Sequence, residues 1–222
     1  GYRSHVVEAY LEQGAKVTYE SMQSLNDAWN FETRRARVGK DAKIDWFTAT
    51  IGSKFSKVEV SSSLDRQGAS TNNCGLFLGK DSQKFDIYNS VIHKAPNTYS
   101  DMNNRGIVMD KSKSIYRGLI RIDENSSNCN GYQTQDTLIL SDEAEADAVP
   151  NLEIYNNDVK CSHGATIGQI DDEKLFYLMS RGLSRQEAIH EIVQGFLGDM
   201  ADKVKSDVLK ARMQQELARR LG

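Results

Sequence analysis

A mainly β fold that gives way to helices near the C-terminus is what this sequence predicts, on three observations. Short runs of alternating apolar and polar residues, rich in β-branched and aromatic side chains, recur from Val6 to Ile154. Small or turn-forming residues separate them at nearly regular intervals. After Gln169 the apolar residues change to i, i+3, i+4 spacing. The 222 residues suffice for a sizeable core, as one elongated domain or two small ones. The division is placed at a β core over 1–168 and a helical part over 169–222.

The strand signals are, in order, Lys16–Glu20, Ile44–Thr48, Lys57–Val60, Leu76–Leu78, Lys84–Tyr88, Gly106–Met109, Tyr116–Ile122 and Thr137–Leu140. Corners fall at Gly14-Ala15, Asp41-Ala42, Gly68-Ala69, Asp81-Ser82, Lys111-Ser112, Asn125-Ser126 and Glu143-Ala144. The early corners recur about every 27 residues and the later ones about every 14, as if each coil carried two turns. A parallel solenoid flattened into two sheets fits that rhythm, because stacked coils bury inward Val, Ile and Leu that no single coil could cover. An antiparallel sandwich of about ten strands fits the alternation as well. The stretch Leu25–Arg37 is the least regular, and its Arg34, Arg35 and Arg37 read as a solvated basic face.

Downstream, Asp171 is placed to cap a helix carrying Leu175, Phe176, Leu178 and Met179, which Gly182 ends. On spacing alone Phe176 reads as a core residue. Ser184-Arg-Gln-Glu187 has the form of a capping box. Ala188, Ile189, Ile192, Val193, Phe196, Leu197 and Met200 follow on one helical face. Gly195 and Gly198 weaken that helix, so a close neighbour is expected against them. A third helix from about Val208 carries Leu209, Met213, Leu217 and Leu221, and its Arg212, Arg219 and Arg220 suit a helix C-terminus.

Composition excludes several classes. A net charge of −3 provides no general attraction to nucleic acid or anionic membrane. No apolar run approaches the roughly 18 residues of a membrane span, and no leader-like segment opens the chain. Three cysteines without a CxxC pair suit a reducing compartment, so a soluble cytoplasmic protein is expected. No P-loop, HExxH or G-x-S-x-G occurs, which leaves any ATP chemistry to another polypeptide.

Cys161-Ser-His163 is the one close pairing of soft ligand residues. In extended backbone both side chains share a face. A thiolate beside an imidazole suits iron, although two donors do not close a site. On the residues alone, a structural cysteine beside a hydrogen-bonded histidine is the competing reading.

The segments Asn151-Leu-Glu-Ile154, Asp158-Val-Lys-Cys-Ser-His-Gly-Ala-Thr166, Gly168-Gln-Ile170 and Leu175-Phe-Tyr-Leu-Met-Ser-Arg-Gly182, with Ser114–Ile120 and Asp142–Asp147, resemble the SufB/SufD family of the SUF iron-sulfur cluster assembly system. The resemblance is strong in the second half of the chain and general in the first, and family members usually extend further at the N-terminus. It implies a right-handed parallel β-helix with a C-terminal helical subdomain and a non-enzymatic, scaffold-type role. It further implies pairing with a like SufB/SufD subunit, a cluster assembled transiently at the subunit interface, and a cysteine desulfurase as sulfur source. ATP would enter only through a SufC-type ABC ATPase docked on the C-terminal helices, for which Phe176, Tyr177 and Arg181 are candidates. Flavin has been associated with the family complex. His163, and to a lesser degree Cys161, are the implied cluster residues. Cys129 is a secondary candidate and Cys74 a weaker one. SufB-type members carry Cys where this chain has Gln135, and Glu where it has Gly164, so the sequence is SufD-like or belongs to an undivided form. A β-helix carbohydrate-active enzyme using Asp142, Glu143, Glu145 and Asp147 is the competing function.

Overall fold

The computed structural model describes residues 1–221. Strands β1 (Tyr2–Leu11), β3 (Trp29–Val38), β5 (Phe55–Leu64), β7 (Lys84–His93), β9 (Lys113–Ile122) and β11 (Glu145–Ile154) form one sheet in that order. The second sheet runs β2 (Lys16–Gln23), β4 (Lys43–Ile51), β6 (Ser70–Gly79), β8 (Tyr99–Val108), β10 (Cys129–Ile139), β12 (Val159–Gln169). Every pairing is parallel. The chain changes sheet at each corner, so two strands make a coil and the fold is a six-coil solenoid flattened into two sheets. The sandwich alternative falls with the parallel pairing.

The corner rhythm has a backbone cause. Gly14, Asp41, Gly68, Asn97 and Asn128 all have left-handed φ, between 52° and 73° or at those values. Only Gly, Asn and Asp enter that region readily. They stack: the N–H of Gly14 donates to the Lys40 carbonyl at 2.9 Å, that of Asp41 to Gln67 at 3.0 Å, and that of Asn97 to Ser127 at 2.9 Å. A Cβ on Gly68 would displace the Asp41 carboxylate, and its φ of 73° favours glycine as well. Gly14, Asp41 and Gly68 lie on one edge of the solenoid, whereas the turns at Asp81, Lys111 and Glu143 lie on the other. The change from a 27-residue to a 14-residue interval is therefore the alternation between two edges.

Burial follows what covers each sheet. The strands of the β1 sheet alternate, as in β5 with every second residue buried, because water meets the outer face. In β4 and β6 nearly every residue from Trp46 and Cys74 onward is buried. Their outer residues Phe47, Ala49, Ile51, Leu76 and Leu78 form a second core with Val193, Leu197, Met200, Met213 and Leu217 of the helical tail. The inner core stacks one column per coil: Leu11, Val38, Leu64, His93 and Ile122 stand in successive register.

Leu25–Arg37 differs from expectation. Trp29–Val38 is a regular ten-residue strand, and its alternation sends Asn30, Glu32 and Arg34 inward beside Ala36 and Val38. Arg34 is 2% exposed, pairs with Glu32 and donates to Thr48 Oγ1 at 2.7 Å. Arg35 and Arg37 remain outside, so the cluster is split by the strand's period of two rather than forming one solvated face.

The tail comprises α1 (Asp172–Ser180), α2 (Arg185–Leu197), a 3-10 helix (Gly198–Lys203) and α3 (Asp207–Leu221). Asp171 caps α1, and Ser184 with Glu187 makes the capping box of α2. Gly182, at φ 99°, takes the left-handed position after α1. A Cβ on Gly195 would meet nothing within 4 Å, so the close neighbour expected there is absent. At Gly198 the helix ends, and the Arg105 guanidinium caps it through the Phe196 and Leu197 carbonyls, both at 2.7 Å.

Candidate functional site

Cys161 and His163 sit on β12, the last strand of the second sheet. In register, Cys161 stacks on Gly131 and His163 on Gln133, both inward-facing and buried. The two side chains thus share the inner face of the last coil, as the period of two requires. No strand lies beyond β12 among the described residues, so this inner face is open at the solenoid end. His163 is exposed and Cys161 half-buried against the inner core. Gly131 makes room: a Cβ there would stand 3.4 Å from Cys161 Sγ and 3.1 Å from Ile120 Cγ2. Burial pushes the Cys161 thiol up to about 11, so it is protonated at neutral pH until a metal or cation displaces the proton. Beneath His163, both polar atoms of the Gln133 carboxamide are buried without a hydrogen-bond partner. Among the described residues, no three His, Cys, Asp or Glu side chains converge on a metal-sized point.

The other sequence candidates separate. Gln135 points into the solenoid, donating to Thr137 Oγ1 at 3.0 Å. A Cβ on Gly164 would meet nothing within 4 Å, leaving that position open. Cys129 is fully buried at the start of β10, with its sulfur 3.0 Å from Thr98 Oγ1 and 3.4 Å from the Ala95 carbonyl. Cys74 lies in the outer core, 3.6 Å from Met200 Sδ. Glu143 and Glu145 pair with Lys111 and Lys113 at 2.9 and 2.7 Å on the exposed corner.

On α1, only Leu175 is buried. Phe176 is 74% and Tyr177 56% exposed, so the core reading of Phe176 does not hold. The Arg181 guanidinium lies over the Tyr177 ring at 5.2 Å. Reading single residues missed the interior polar groups: Arg3, Glu32 and Arg34 form one linked cluster, and His93 bridges Thr98 and Ser100. Their signal was register, since each stands an even number of residues along its strand from one that is plainly inward.

The chain is thus a two-sheet parallel solenoid with a helical tail and paired soft donors on its last coil. The chain matches the profile of the "SUF system FeS cluster assembly, SufBD core domain" over residues 1–196. It belongs to the SufBD family, and that membership suggests a role in iron-sulfur cluster assembly. Relatives named iron-sulfur cluster assembly SufBD family proteins, from Staphylococcus saprophyticus, Staphylococcus epidermidis and Staphylococcus aureus, are each 33% identical over 195 residues. The alignment covers 87% of this chain and 42% of each relative. No helix among the described residues is long and apolar enough to cross a membrane.

Proposed function

We propose that this chain is a SufD-like or undivided subunit of a SUF-type scaffold, pairing with a like subunit and holding a SufC-type ATPase through its helical tail. The nascent cluster is cargo, built from iron and desulfurase-derived sulfur. The observation that carries this reading is the placement of Cys161 and His163 together on the open inner face of the last coil. A thiol and an imidazole are two of the donors an iron accepts, and a second subunit docked on the same end would bring the remainder. Pairing there also satisfies the unpaired edge groups of β11 and β12. The unpartnered Gln133 carboxamide below His163 offers the site a polar floor. The exposed Phe176 and Tyr177 on α1 present the apolar area that a protein partner would cover. This chain does no bond-making itself; ATP-driven movement of the tail would open or close the site.

Replacing His163 with Ala should leave dimer and ATPase binding intact. Iron and sulfide bound after anaerobic reconstitution should fall at least by the roughly tenfold that losing even an outer-shell partner costs a metal site. Full cluster content in that variant, with loss in Cys129→Ala, would move the site to the interior thiol and overturn the assignment.

A further inference from the structure

We infer that the groove between the C-terminal end of α3 and the adjoining solenoid corners binds a phosphate-type oxyanion on Lys54, Lys80, Arg219 and Arg220. It encloses about 580 Å³ and uses no residue of β12 or α1. Arg220 is only 7% exposed, yet its Nε and Nη2 have no hydrogen-bond partner. The carboxylate nearest on its own helix is an ion-pair partner beyond hydrogen-bond reach: Glu216 Oε2 stands 3.9 Å from Arg220 Nε and accepts from Arg219 Nε and Nη2 at 3.2 and 2.7 Å. A buried guanidinium whose nearest carboxylate lies beyond hydrogen-bond reach is poorly compensated, and an oxyanion in the groove beside it adds the missing negative charge.

The surroundings hold this arginine in place. Gly52, at φ 97°, leaves the space its guanidinium fills, since a Cβ there would collide with Nη2 and lie 2.9 Å from Cζ. Lys80 Nζ donates to the Arg220 carbonyl at 3.0 Å and so ties the end of α3 to the corner. Lys54 is exposed and makes no ion pair among the described residues. Against these four cations the groove sets two carboxylates, Asp27 and Asp81. A planar fork beside two ammonium groups suits an anion with three oxygens, which a phosphate offers. The basic end of α3 therefore does more than complement its own helix dipole.

The test is thermal unfolding and calorimetric titration of the intact chain with inorganic phosphate, pyrophosphate and AMP, against chloride at matched ionic strength. Saturable stabilisation by phosphate or pyrophosphate is expected, and a stronger effect of AMP would identify the phosphate as part of a nucleotide. Lys54→Gln and Arg219→Gln, both at exposed positions, should each weaken binding about tenfold, as loss of a charged hydrogen bond does. Arg220→Lys should retain the fold, keep the charge and lose the affinity supplied by the fork. The inference is overturned by equal stabilisation in chloride, by unchanged affinity in Lys54→Gln and Arg219→Gln, or by binding of an acidic peptide in place of phosphate.

Discussion

His93 occupies a place in the inner column between Leu64 and Ile122, where every other coil sets an aliphatic side chain. It is tolerated because both ring nitrogens are satisfied, Nδ1 by Thr98 Oγ1 at 2.7 Å and Nε2 by Ser100 Oγ at 2.9 Å. Burial lowers its pKa to about 4 from an ordinary 6.5. The native ring stays neutral in this interval while the unfolded ring takes up a proton, so stability falls as pH drops from about 6.5 to 4 and levels off below. The full interval amounts to about 3 kcal/mol. Urea midpoints measured from pH 7 to 4 should show this loss, and His93→Gln should flatten it; parallel curves for both proteins would assign the acid sensitivity elsewhere. His93 lies beyond the alternating run Lys84–Tyr88, so the sequence alone does not mark it. Its place in the core is decided by the corner before it, which sets the register. Cys129 is the companion case: read singly it is a corner thiol, but the corner at 123–128 folds it under Thr98.

At the scale of elements, the helix limits were largely legible, because caps are local chemistry. Asp171, the Ser184–Glu187 box and Gly182 act within one turn of the chain. The buried side of α1 was not. Leu175, Phe176, Leu178 and Met179 have helical spacing, yet only Leu175 is buried, Leu178 is half-buried, and Phe176 and Met179 are exposed. Amphipathic spacing reports that a face will be covered, not by what. The exposed Tyr177 and Arg181 should therefore be removable together at small cost to the fold, within the roughly 0.5 kcal/mol usual for each surface change. Tyr177→Ala with Arg181→Ala should weaken pull-down of the ATPase while the circular-dichroism melt is nearly unchanged. Retained pull-down would remove α1 from that contact.

Over the described residues, the molecule is a stack of coils with a strand edge at each end. At the first end β1 shows Tyr2, Val6 and Tyr10, at 73%, 65% and 70% exposure; at the last, β12 shows Ala165, Thr166 and Ile167 around the candidate cluster residues. Open strand edges recruit partners. A dimer joined at the β12 end is the expected assembly. Ala165→Arg should shift it toward monomer in sedimentation velocity, whereas Val6→Arg should leave it intact. The reverse result would place the interface at β1 and leave Cys161 and His163 in solvent.

The sequence by itself determined the strand alternation, the corner residues able to adopt left-handed φ, the helix caps and, through Asp158–Thr166, the family resemblance. These are properties of neighbouring residues and survive without a fold. Tertiary structure alone decided which of the two faces turns inward. Alternation of period two says that the faces differ but not which is enclosed, and Arg34 and Glu32 lie inside because coil closure carries the face of Ala36 and Val38 there. It likewise decided that Arg220 is buried while Phe176 is not, since each depends on what distant segments bring against the helix.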